Sequence, residues 1–139
     1  LLTSIAKNEQ CVILNPAYTM LFQSKMILKV LWDIFPEHPL LLKTTTEKPE
    51  GIKYVEKVIF GREGANVSIR DENDEVMEEQ VGEYESPTIF QEYVELSTDN
   101  GQSYQAGVFF IGEGAGLGFR RGTKIMNDTA EFVSHYIGE

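Results

Sequence analysis

Two rhythms of apolar and polar positions divide the chain. Over residues 25–35 the apolar side chains Met26, Ile27, Val30, Leu31, Ile34 and Phe35 recur at helical spacing, which predicts one amphipathic helix. Ser24 stands where it can cap the start, and Pro36 and Pro39 stop the helix. Upstream, the apolar run at residues 11–14 ends at Asn15-Pro16, the pattern of a strand followed by a helix with proline in its first turn. Leu40 to Leu42 is too short to assign, and residues 44–51 read as a loop. From residue 52 the rhythm shortens. Residues 52–60, 67–70, 88–96, 104–111 and 115–121 are β-rich, separated by turn residues; 75–80 fits a strand or a helical turn equally. Asp71 to Asp74 reads as a turn, and Asn100-Gly101 marks a hairpin. The predicted class is α+β, helices first and a largely antiparallel sheet afterwards.

Charge changes this picture. The 139 residues carry 12 Lys and Arg against 22 Asp and Glu, a net charge of −10. Such a balance excludes a general nucleic-acid binder and disfavours docking on an anionic membrane. No apolar run approaches the ~18 residues of a membrane helix. The excess is local: the 49 residues between Arg70 and Arg120 hold 12 acids and no Lys or Arg. The acidic run over residues 71–85 reads as a solvated turn and helix surface, since its spacing fits no calcium loop. The lone cysteine, Cys11, excludes an internal disulfide and suits a reducing, cytoplasmic setting. A start at Leu1-Leu2, without Met, suggests a processed or excised piece.

Two glycine patterns carry candidate chemistry. Gly61-Arg62-Glu63-Gly64-Ala65-Asn66 joins two β-rich runs, with Lys57 on the strand leading in. Two glycines three apart allow either an anion-cradling nest or a plain turn, and no Walker sequence follows. Gly112, Gly114, Gly116 and Gly118 occupy alternate positions, so a regular strand would bare one face. Arg120 continues that register and would project from the same face, where a guanidinium can grip a carboxylate or phosphate. The glycines could equally make room for a neighbouring element. His38 reads as a surface residue, His135 has no partner at metal spacing, and Trp32 with Phe35 reads as core.

The segment Lys25 to Trp32, then Phe35-Pro36-Glu37-His38-Pro39, the block from Lys57 to Asn66, Phe90-Gln91-Glu92 and the glycine run to Arg120 together resemble glutathionylspermidine synthase and its bacterial relatives. The likeness spans residues 15–136 and points to the C-terminal ATP-grasp region. It implies an ATP-grasp-like partial domain, a lid subdomain over residues 25–88 and a sheet portion over 89–139. It also implies an ATP-dependent carbon–nitrogen ligase: a peptide carboxylate such as that of glutathione is phosphorylated, and an amine such as spermidine attacks. By the same resemblance Lys25 and Lys57 hold nucleotide phosphates, Glu63 and Gly64 belong to a lid loop, Gln91, Glu92, Tyr93 and Val94 line the adenine edge, Ile125 touches the nucleotide pocket, and Arg120 binds the acid substrate. The family's Lys-Pro is Lys57-Val58 here. Its magnesium ligands lie upstream of the matched stretch, so the piece alone is expected to be inactive. A module that binds nucleotide or polyamine without catalysis is the competing reading.

Overall fold

In a computed structural model the chain is described over residues 17–136, together with Lys7 and Gly138. The expected strand at 11–14 and Cys11 lie outside those residues. A 3-10 helix, Ala17–Gln23, leads into one α-helix, α1, Met26–Ile34. Ser24 Oγ accepts from Met26 N at 3.3 Å, but the N-cap position falls on Lys25, one residue later than the expected cap, and carries no side-chain cap. Lys29 and Asp33 pair one turn apart on the helix surface. No residue of α1 is fully buried.

Among the described residues, every helix or strand element after α1 is a strand. A five-stranded antiparallel sheet holds β1 (Thr44–Thr45), β2 (Tyr54–Val58), β3 (Val67–Arg70), β4 (Val76–Gln80) and β5 (Thr88–Glu92), in the order β1-β5-β2-β3-β4. A four-stranded meander follows with β6 (Ser97–Asp99), β7 (Gln102–Phe110), β8 (Gly114–Gly122) and β9 (Glu131–Val133). The described fold is therefore mostly β, two antiparallel sheets with few helices, where sequence periodicity predicted a helix-first α+β chain. The ambiguous stretch at 75–80 is an edge strand. The division expected near residue 88 falls inside the first sheet, because β5 pairs with both β1 and β2; the sheets part between Glu92 and Ser97.

Asn100 and Gly101 take φ of 49° and 76°, which lets two residues join β6 to β7. The core is small: Tyr54, Val58, Ile59, Ile69, Ile89 and Ile125, with Thr44 buried among them. Tyr54 meets Phe90 edge-on, with ring centroids 5.8 Å apart. Trp32 and Phe35 do not join this core, and Phe35 is mostly exposed. No described helix is long and apolar enough to cross a membrane.

Candidate functional site

The glycine loop leaves β2 and returns as β3. Glu63 and Gly64 have positive φ, 55° and 74°, and Ala65 N donates to Arg62 O at 3.0 Å, closing a tight turn. The loop is pinned at both ends. Lys25 donates its backbone N–H to Ile59 O and its ammonium to Gly61 O at 2.6 Å. Asn66 donates to Gly82 O and accepts from Tyr84 N. Gly64 lies so close to the β8–β9 connection that a Cβ would stand 2.9 Å from Ile125 Cγ2 and 3.0 Å from Met126 O. Ile125 in turn is held by its backbone: its N–H donates to Glu78 of β4 at 3.1 Å and its carbonyl accepts from Thr123 Oγ1. The loop, β4 and the second sheet are thereby locked together.

These contacts wall an open cleft of about 660 Å³ between the sheets. Alternation along β2, β3 and β5 turns Val55, Lys57, Val67, Ile69 and Gln91 to its floor. Glu92, Tyr93 and Val94 form the edge where the chain crosses to the second sheet; Glu92 N and Tyr93 N donate to Lys43 O and Lys53 O. Opposite stand Arg120, Ile125 and Lys124. All ten residues singled out from the sequence line this one cleft.

Lys57 donates to Gln91 Oε1 at 2.6 Å. Burial, with the charge of Lys25 second, lowers its pKa to about 8. Burial also lowers Lys25. Among the described residues neither lysine forms an ion pair. Arg120 donates Nη2 to Gln105 Oε1 at 2.6 Å, its register partner on β7, which fixes the plane of the guanidinium. The cleft is lined by Lys25, Lys57, Arg62, Arg120 and Lys124 against Glu63, Glu92 and Asp128. A chain of net charge −10 thus offers a locally cationic cleft, which suits an anionic ligand.

The glycine face is shorter than the alternate spacing predicts. Gly112 sits in the β7–β8 turn with φ +74°, and a bulge lets Gly114 oppose Phe110 while Gly116 opposes Phe109. That extra residue resets alternation, so only Gly116 and Gly118 share the face of Arg120. Gly118 faces Gly107 across the ladder, and a Cβ there would meet nothing within 4 Å.

The acidic run is partly structural. Asp71 accepts from Asn73 N and Glu75 N, Asp74 takes Lys48 and Tyr54, and Glu78 holds Ile125. The backbone N–H of Glu75 is the main influence lowering Asp71, and Lys48 that lowering Asp74. Among the described residues no group of three or more His, Cys, Asp or Glu converges where a metal could sit. Lys124 and Glu78 escaped the sequence reading. Lys124 had a signal, the basic cluster Arg120-Arg121-Lys124 that ends the acidic gap; Glu78 had none, since its partner lies 47 residues away.

Comparison with known proteins agrees with the motifs. Residues 1–138 match a family profile described as glutathionylspermidine synthase preATP-grasp. The chain belongs to the glutathionylspermidine synthase family. The profile's description is the pre-ATP-grasp domain, which corrects the C-terminal ATP-grasp placing that the motifs implied. The chain is 32% identical over 135 residues to a candidate acid–amine ligase of Haemophilus influenzae, covering 88% of this chain and 34% of that protein. It is 30% identical over 129 residues to the bifunctional glutathionylspermidine synthetase/amidase of Escherichia coli, covering 90% of this chain and 21% of the relative. It is 28% identical over 127 residues to trypanothione synthetase of Crithidia fasciculata, covering 88% and 20%. The chain thus spans a fifth to a third of these relatives' lengths.

Proposed function

We propose that this chain supplies nucleotide- and acid-binding residues to an ATP-dependent acid–amine ligase. The observation that carries the reading is the convergence of Lys25, Lys57, the Gly61–Asn66 turn, the Gln91–Val94 edge and Arg120, from five separate stretches, on one cationic cleft. Lys25 and Lys57 hold ATP phosphates; two close ammonium groups without carboxylate partners are stabilised by the anion they bind. The turn at Glu63 and Gly64 covers the phosphates and keeps water from them, the lid role. Gln91 to Val94 and Ile125 border the base. Arg120, held in plane by Gln105, orients the carboxylate of a peptide acid such as glutathione, and an amine such as spermidine is the acceptor.

ATP supplies the phosphoryl group that activates the carboxylate towards the amine; this chain's residues bind, orient and exclude water. The described residues do not fit a magnesium site, so no role for the metal is drawn from them. The acids that a polyamine-binding module would need are engaged in part within the fold, as Asp71, Asp74 and Glu78 show.

The test uses the full-length protein. Lys57→Ala is expected to weaken ATP binding, read by calorimetry, whereas Arg120→Ala leaves ATP binding intact and raises KM for the acid. Unchanged ATP affinity in Lys57→Ala contradicts the reading. Spermidine binding without ATP binding in the wild type supports the module instead.

A further inference from the structure

The geometry points to Thr44 as a positioning residue that orients Gln91 and, through it, the ammonium of Lys57. Thr44 is fully buried, on a two-residue strand that no motif marks. Its hydroxyl donates to Leu42 O at 3.0 Å. With that proton committed, Thr44 Oγ1 presents only lone pairs to Gln91, and it accepts from Gln91 Nε2 at 3.1 Å. The amide of Gln91, itself buried, therefore turns its oxygen towards Lys57, where it accepts at 2.6 Å. The reverse orientation would set an NH2 group against an ammonium. It would also require the Thr44 proton to leave Leu42 O. Hydrogen-bond logic along Leu42, Thr44, Gln91 and Lys57 thus permits one arrangement.

This inference rests on the proposed role of Lys57. Gln91 is the neutral acceptor that steadies a charge placed beside another cation. The charged groups lining the same cleft are Lys25 at the helix start, Arg62 and Glu63 in the loop, Glu92 at the strand end, and Arg120, Lys124 and Asp128 opposite. Of these, Lys25 adds its repulsion to burial in holding Lys57 low. Removing the oriented carbonyl disfavours the charged form further, so the protonated fraction at a given pH falls.

The experiment is calorimetric titration of the full-length protein with ATP and magnesium chloride between pH 6.5 and 9. Thr44→Val keeps the shape and removes the hydroxyl; Thr44→Ser restores it. In Thr44→Val the midpoint at which ATP affinity falls is expected about one pH unit below wild type, the worth of one charge-assisted hydrogen bond. Affinity at pH 6.5 stays close to wild type, and Thr44→Ser follows the wild-type profile. An unshifted midpoint, or an equal loss at every pH, overturns the inference. If Thr44→Val does not fold, Gln91→Met must show the same downward shift, and a wild-type midpoint there overturns it equally. Unchanged affinity in Lys57→Ala would instead remove the nucleotide assignment itself.

Discussion

The two sheets meet the cleft in opposite ways. In the five-stranded sheet, the cleft-facing side chains are tied to one another: Lys57 to Gln91, and Gln91 to Thr44. In the four-stranded sheet, only the end near β9 faces the cleft, with Arg120 and Gln105. The β7–β8 hairpin leaves it with Val108, Phe109 and Phe110 67–74% exposed. The first sheet supplies a preorganised floor. The second supplies one oriented guanidinium at the root of a long apolar hairpin. The difference teaches that burial in this chain follows the first sheet: the buried apolar residues Tyr54, Val58, Ile59, Ile69, Ile89 and Ile125 lie in it, directly after β2, or on the loop that closes over it.

The sharpest way to break that comparison is to remove the floor's support. Ile89, fully buried, pairs with Lys57 in the ladder. Ile89→Ala is expected to cost about 2–5 kcal/mol in urea unfolding of the chain. A cost near zero would mean that the first sheet is not the stabilised half. Gly64→Val comes next. It combines a φ of +74° with a Cβ pressed on Ile125 and Met126, and is expected to cost about 2 kcal/mol. It should also weaken ATP binding in the full-length protein, because the loop and the β8–β9 connection can no longer close on each other. Wild-type ATP affinity with lost stability would separate the loop from the site.

A pH experiment probes the floor from the other side. Lys57 is protonated above pH 8 in the unfolded chain and loses its proton in the folded one, so the unfolded state binds more protons between about 8 and its ordinary 10.5. Burying this charge costs stability below pH 8, and that cost is relieved as pH rises through the window. Lys57→Met should therefore stabilise the chain by about 1 kcal/mol at pH 7, with the gap to wild type closing above pH 8. A destabilised Lys57→Met would show that the ammonium supports the fold rather than the site. The smallest effect is expected in the hairpin: Val108→Ala should change unfolding by less than about 0.5 kcal/mol. A loss comparable to that of Ile89→Ala would erase the contrast between the sheets.

Much of this was legible from residue pattern, and the gaps have physical causes. The alternation of Val67 and Ile69 and the Asn100-Gly101 turn announce themselves because each depends on neighbours in sequence. The stretch Val76–Gln80 did not, since an edge strand paired on one side keeps polar residues on both faces. The α+β expectation leaned on a helix pattern; over residues 17–136, α1 and a 3-10 helix stand against nine strands. Alternation of glycines predicted a face twice too long, because a bulge places one extra residue of β8, Ala115, opposite Phe109 and Phe110, and pairing register is not visible in the spacing of one strand. The candidate site residues came from family motifs, and in the structure they line one cleft. What ties them together, Thr44 to Gln91 and Glu78 to Ile125, joins residues 47 apart in each case and leaves no local trace.

The measurement that bears most directly on the central claim is ATP affinity of the full-length protein against pH, wild type beside Lys57→Ala. Lys57 must carry its proton to hold a phosphate, and its pKa lies at about 8. Wild-type affinity is therefore expected to be high below that value and to fall above it, while Lys57→Ala binds weakly and loses that fall. Equal affinity in the two proteins, with the same pH profile, would contradict the account.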